Sequence, residues 1–182
     1  EGEGEVLLLL HGLFGALSNW EDVVNKFSQK YRVIIPLLPI YTMPVKTAGL
    51  DSLNKFTEEF VEMMSLNKLN IIGTNLGGHV GLIFTLANPD KVNTLILTGS
   101  SGLFENAMGG SFPRRGSYDY IQERVAYTFY DPATATKDLV DEVFETTKSI
   151  PKALRIVAIA KSAQRNNMAD DIPNIKVPTL LI

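Results

Sequence analysis

An α/β protein built on a parallel sheet, with a block of helices inserted late in the chain, is the fold class this sequence predicts. Three observations carry that prediction. Short apolar runs alternate with helix-patterned segments from residue 5 to residue 100. The alternation then stops, and the stretch up to Val177 reads as helix after helix. A strand-type run returns at Pro178-Thr179-Leu180-Leu181-Ile182. Alternating β and α units place helices on both faces of a parallel sheet.

Each element follows from its own residues. Val6-Leu7-Leu8-Leu9-Leu10 is unbroken aliphatic sequence, the mark of a strand buried on both faces. Ser18-Asn19-Trp20-Glu21 has the form of a capping box, with Ser18 as N-cap and Glu21 three residues on. The helix it opens shows Trp20, Val23, Val24 and Phe27 at helical spacing. Arg32 to Ile35 forms a second strand, stopped by Pro36 and Pro39. Leu53, Phe56, Phe60, Met63 and Met64 mark the apolar face of the next helix. Leu69 to Ile72 is the third strand, a helix runs from Leu76 to Asn88, and Asn93 to Thr98 is the fourth strand. Gly109-Gly110-Ser111-Phe112-Pro113 breaks the chain. Helices follow near 115–129, 134–148 and 150–165, with Asp131-Pro132 and Ser149-Ile150-Pro151 as start signals.

The organisation expected is therefore a core segment over 1–100, a helical cap over 101–172 and a return to the core over 173–182. A chain that starts five residues before a core strand and stops inside another reads as the central portion of a longer protein. Composition narrows the function classes. With 45% apolar residues in 182, the chain can bury one substantial core. A net charge of −3 argues against a nucleic-acid surface. No apolar run is long enough to cross a membrane, and the acidic start Glu1-Gly2-Glu3-Gly4-Glu5 does not resemble a signal peptide. The absence of cysteine fits a cytoplasmic protein. No metal-ligand cluster, phosphate loop or dinucleotide fingerprint is present, so no cofactor is expected.

The chemistry concentrates at Gly73-Thr74-Asn75-Leu76-Gly77-Gly78-His79. An apolar strand ends in Gly-x-Asn-x-Gly and passes straight into a helix, which is the layout of the nucleophile elbow G-x-S-x-G with its central residue changed. The elbow residue takes a strained conformation with positive φ, where asparagine is one of the few enriched non-glycine residues. Asn75 thus suits the turn while lacking a hydroxyl. His11-Gly12-Leu13-Phe14-Gly15 follows the first strand as a second loop at the same end of the sheet.

These two motifs, with the helical cap and the returning Val177 to Ile182, resemble the α/β-hydrolase superfamily, closest to its capped esterases and carbon–carbon bond hydrolases. The resemblance implies an oxyanion hole made by the backbone N–H groups of Leu13 and Leu76. It also implies a pocket lined by Gly12, Phe14, Ser100 and Met108 that takes a small-molecule ester or carbonyl ligand. Ser101, Phe104, Phe112 and the pair Arg114-Arg115 are further candidates, and Trp20 reads as helix core. Asn75 replaces either the serine of esterases or the aspartate of epoxide hydrolases and haloalkane dehalogenases; Leu76-Gly77-Gly78 resembles the serine type. Pro36-Leu37-Leu38-Pro39-Ile40 departs from the family's usual Pro-Asp-Leu-Pro-Gly beside the site mouth. In the family the catalytic acid and histidine follow later strands, which places both beyond Ile182. His11 then belongs to the oxyanion turn and His79 to helix packing. Asp170 and Asp171 precede the last strand and are expected at the opposite end of the sheet. The expected function is a serine-hydrolase-type protein inactive in this form. The alternatives are a non-catalytic ligand-binding protein on the same fold and one piece of a split hydrolase completed by a second polypeptide.

Overall fold

The computed structural model describes residues 1–14, 20–103 and 116–182 of the 182-residue chain. Five strands form one all-parallel sheet, β1 (Glu5–Leu10), β2 (Tyr31–Ile34), β3 (Leu69–Thr74), β4 (Val92–Thr98) and β5 (Thr179–Leu181), in the order β2-β1-β3-β4-β5. The helices are α1 (Glu21–Phe27), α2 (Leu50–Met63), α3 (Leu76–Ala87), α4 (Tyr118–Tyr127), α5 (Lys137–Lys148) and α6 (Ile150–Arg165). Each strand predicted from the sequence is present. The three late helices stand where their spacing put them.

Strand alternation sorts the core into two layers. Leu8 and Leu10 pack with Ile71 and Leu95 on one face, against Leu53, Val61, Val80, Phe84, Ile156 and Ile159 of α2, α3 and α6. Leu7 and Leu9 point the other way and pack with Val33 and Trp20. Leu8, Leu9 and Leu10 are therefore fully buried, each contributing about 1.5–3 kcal/mol by leaving water. That double burial is why the strand tolerates five aliphatic residues in a row.

Three local expectations shift. The face of α1 is only half-covered: no residue within the helix is fully buried, and Phe27 leans on the Tyr31 ring of the edge strand β2, 6.0 Å between centroids. In α2 the buried stripe is Leu50, Leu53, Thr57 and Val61, while Met63 faces solvent. Thr57 can sit inside because its hydroxyl donates to the Leu53 carbonyl at 2.9 Å. Asp131-Pro132 opens a 3₁₀ turn (Pro132–Thr134) rather than α5 itself; α5 starts behind Thr136, whose hydroxyl accepts from the Leu139 N–H at 3.4 Å. Ser18 of the expected capping box and the Gly109–Pro113 break lie outside the described residues.

The late helices divide by packing. α4 and α5 share a small cluster of Ile121, Val125, Val140 and Val143, and Phe14 touches both this cluster and the main core. The Tyr118 hydroxyl donates to Asp141 at 2.7 Å, and Asp141 also pairs with Lys137; those two bonds hold its carboxyl below the usual carboxylate range. α6 belongs to the main core through Ile156, Ile159 and Ala163. Its Ser162 hydroxyl accepts from the Leu50 N–H at 3.0 Å, capping α2 where Gly49 has no side chain to do so. Arg155 donates from Nε to the Met43 carbonyl at 2.6 Å. Among the described residues no helix is long and apolar enough to cross a membrane.

Candidate active site

The site lies beyond the carboxyl ends of β1, β3 and β4, the usual location in parallel sheets. β3 ends at Thr74, α3 begins at Leu76, and Asn75 makes the whole turn between them with φ 50° and ψ −121°. Such a conformation costs about 1–3 kcal/mol and persists only where the surroundings over-determine it. They do so here. The Asn75 N–H donates to the Thr98 carbonyl at 3.2 Å, and its carbonyl accepts from Gly78 N (3.1 Å), His79 N (3.3 Å) and Ser101 N (3.1 Å). The turn exposes Asn75 while Leu76 to Val80 are all buried.

The flanking glycines are set by close approach. A β-carbon on Gly77 would run into the Leu10 carbonyl and stand 2.6 Å from the His11 carbonyl oxygen. One on Gly73 would stand 2.6 Å from the Gly78 Cα. At Gly12 it would stand 3.0 Å from the Asn75 Cβ, so the loop after β1 runs directly against the elbow side chain.

That loop turns a donor toward position 75. The Leu13 N–H lies 3.5 Å from Asn75 Oδ1, at the outer limit of a hydrogen bond. Leu76 supplies a first-turn helix N–H, which has no acceptor within its own helix. Both leucines are buried. The Tyr41 hydroxyl donates to the Leu13 carbonyl at 2.7 Å and pins the same peptide from behind. Burial, reinforced by the Glu142 charge, pushes the Tyr41 phenol up to about 12. Sequence reasoning did not single out Tyr41. Its one signal was position, two residues past Pro39 in the loop that borders the site mouth.

The two histidines hold structure together. His11 accepts the Leu38 N–H at Nε2 (3.0 Å) and reaches the Gly12 carbonyl from Nδ1 (2.9 Å). An Nε2 that accepts carries no proton, so His11 is neutral with its hydrogen on Nδ1; burial holds its pKa below the ordinary value. It ties the loop after β1 to the loop after β2. His79 is fully buried, with Nε2 2.9 Å from Asn166 Oδ1 and Nδ1 3.3 Å from Ser101 Oγ. It links α3 to the end of α6.

The other candidates fall out as follows. Ser100 turns its hydroxyl onto the Ser101 carbonyl at 2.7 Å and packs beside Gly78. Ser101, through its N–H and its bond to His79, is the serine that meets the elbow. Phe14 is half-buried between the core and the α4–α5 cluster. Trp20 is a core residue, packed on Leu7, Leu9 and Val33. Asp170 and Asp171 lie two and three residues after Met168, whose N–H donates to the Gly102 carbonyl past the end of β4 (2.8 Å), and the Asp171 N–H donates to the Met168 carbonyl (3.0 Å). Met108, Phe104, Phe112, Arg114 and Arg115 lie outside the described residues.

A parallel sheet whose central strand passes through one strained, exposed residue into a helix N-terminus defines the nucleophile-elbow class of α/β proteins. The alpha/beta hydrolase fold family matches residues 5–129, and the chain belongs to that family. It is 35% identical to an alpha/beta hydrolase enzyme of known structure from the metagenome of lagoon sediments of Mar Chica, Morocco. That match covers 100% of this chain and 68% of the other, with a TM-score of 0.77. It is 28% identical over 168 residues to the dihydrolipoyllysine-residue acetyltransferase component of the acetoin cleaving system of Pseudomonas putida, covering 87% of this chain and 45% of that protein. It is likewise 28% identical over 170 residues to 2-hydroxy-6-oxononadienedioate/2-hydroxy-6-oxononatrienedioate hydrolase 1 of the same species, covering 80% of this chain and 56% of that protein. The chain thus spans about half the length of these two relatives.

Proposed function

We propose that this chain is a hydrolase-fold domain of the serine, acyl-transfer type in which Asn75 occupies the nucleophile's place, and that alone it performs no turnover. The observation that carries this reading is the elbow itself. Asn75 is strained, exposed and faced by the Leu13 N–H, as a reacting side chain requires, yet a carboxamide has no hydroxyl or thiol to activate. With serine at position 75, the hydroxyl oxygen would attack a ligand carbonyl. The resulting oxyanion would be held by the N–H groups of Leu13 and Leu76, and water would then release the acyl group. Backbone donors outlast a change of side chain, so the hole survives in this sequence. Such a hole supplies about 10²–10³ in rate only when a reaction is under way.

The ligand in this reading is a small ester or carbonyl compound, held among Gly12, Phe14, Ser100 and Met108. The resemblance to a relative named for hydrolysing an oxo-dienedioate supports that class. A triad also needs a base within reach of the nucleophile, and both histidines of the chain are engaged by backbone and side-chain partners elsewhere. Restoring Asn75→Ser is therefore expected to leave hydrolysis of a chromogenic ester at background. A burst or steady-state turnover by that variant would refute the reading.

A further inference from the structure

The turn that exposes Asn75 also sets up a reaction of Asn75 with its own backbone. In an L-residue viewed along Cα–C, the side-chain Cβ is offset from the backbone nitrogen by about 120°. A ψ of −121° therefore brings Cβ almost into line with the amide nitrogen of the next residue, Leu76. That eclipsed arrangement is the one a five-membered imide ring demands, since its atoms are the Leu76 nitrogen and the Asn75 Cγ, Cβ, Cα and carbonyl carbon. Helical and strand values of ψ hold Cβ and that nitrogen well apart, so an ordinary asparagine must distort to close the ring. Asn75 is built with the main-chain torsion that closure requires. The hydrogen bonds that fix its carbonyl and N–H keep it there.

Three further features favour the reaction. Leu76 N is at the first turn of α3 and donates to no acceptor among the described residues, so it need not give up a helical bond to attack. The Leu13 N–H points at Oδ1, where negative charge develops as the ring closes. Asn75 is exposed, so water can reach the product.

We infer that Asn75 is a site of self-modification through a succinimide formed with Leu76. The amide nitrogen of Leu76 gives its proton to solvent base and bonds to Cγ. The Cγ–Nδ2 bond then breaks, and Nδ2 leaves as ammonia after taking up a proton. Water then opens the ring. Opening at Cγ gives aspartate at position 75; opening at the main-chain carbonyl gives an isoaspartyl link through Cβ. Overall one water is consumed and one ammonia released, with no redox change. The aspartyl product places a carboxylate, itself a class of enzyme nucleophile, where a neutral amide stood. This modification needs no ligand and is independent of the function proposed above.

The test uses the intact chain, incubated folded at neutral and mildly alkaline pH beside the same chain held in urea. Trypsin releases residues 69–91 as one peptide, which carries Asn70 as an internal control. Asn70 lies within β3, while Asn88 precedes Pro89, whose nitrogen has no hydrogen to lose, and cannot close this ring. Fragment masses locate the gain of about 1 Da, and isoaspartyl-specific methylation reports the ring-opened product. The expected result is conversion of Asn75 in the folded chain at least about tenfold faster than at Asn70 or than at Asn75 in urea. That is a small part of what fixed orientation supplies to intramolecular reactions. Isoaspartate or the ammonia-loss species should be among the products, and the rate should rise with pH. Asn75→Gln, which would have to close a six-membered ring, should stay unconverted. Equal or slower conversion in the folded chain would overturn the inference. So would a purely aspartyl product, or Gln conversion at the Asn rate, since both mean direct attack by water.

Discussion

Replacing Asn75 by glycine should stabilise this protein. The left-handed backbone at position 75 costs about 1–3 kcal/mol in a residue with a side chain. Glycine finds the mirror image of an ordinary extended conformation there, at no steric cost. Two terms oppose the gain. Glycine raises the entropy of the unfolded chain, worth about 0.5–1 kcal/mol. The bond from the Leu13 N–H to Oδ1 is lost, but at 3.5 Å it contributes about 0.5 kcal/mol at most. Taken at the middle of their ranges, the terms leave a gain of about 0.5–1 kcal/mol, which in a chain of this size raises the melting temperature by about 1–4 °C. Urea unfolding followed by circular dichroism measures it as a higher midpoint with an unchanged slope. Asn75→Val is the counterpart. A β-branched residue is the poorest occupant of positive φ, and the variant should lose about 2 kcal/mol or more. A glycine variant less stable than the parent, or a valine variant equal to it, would refute the claim that strain is stored at this turn.

Other substitutions probe the supports around the turn. Gly77→Ala should cost about 3 kcal/mol in urea unfolding, because its methyl must displace the backbone at Leu10 and His11 rather than a movable side chain. Ser162→Ala should cost about 1 kcal/mol by leaving the first turn of α2 uncapped, and amide exchange should quicken at Leu50. His11 gives a pH dependence. Its folded pKa lies below the ordinary 6.5, so the unfolded chain binds the proton more readily. Stability from this residue is fully present above pH 6.5 and is lost as pH falls through the native value. Urea midpoints measured from neutral to mildly acidic pH should therefore fall, and His11→Gln should flatten that fall.

The parts of the molecule legible in the sequence are those fixed by local pattern. Leu7 to Leu10 could only be a doubly covered strand, and Gly73-Thr74-Asn75-Leu76-Gly77 marked the elbow because close backbone contact excludes other residues at its ends. The misses arose where a single contact overrode the pattern. Thr57 entered the core through one bond to Leu53, which rotated the buried face of α2 and left Met63 in solvent. Tyr41 and Asn166 support the elbow from a loop and a helix end far from it in sequence, where neither periodicity nor motif applies. Met168 likewise meets Gly102 from the far side of three helices, a contact no local pattern announces.

The bond from Leu50 to Ser162 bears on how the mouth of the site can open. α6 is stapled to α2 by that cap, to the Met43 loop by Arg155 and to α3 by Asn166 on His79. Swinging α6 outward would strip an N-cap, two further hydrogen bonds and the burial of Ile156 and Ile159 together. α4 and α5 have a hydrophobic cluster of their own; Phe14 joins it to the main core, and α5 also packs on α6. The hinge of any gating motion therefore falls at Ser149-Ile150-Pro151, between α5 and α6. A motion that spares those contacts would carry the α4–α5 pair and leave α6 in place on the core.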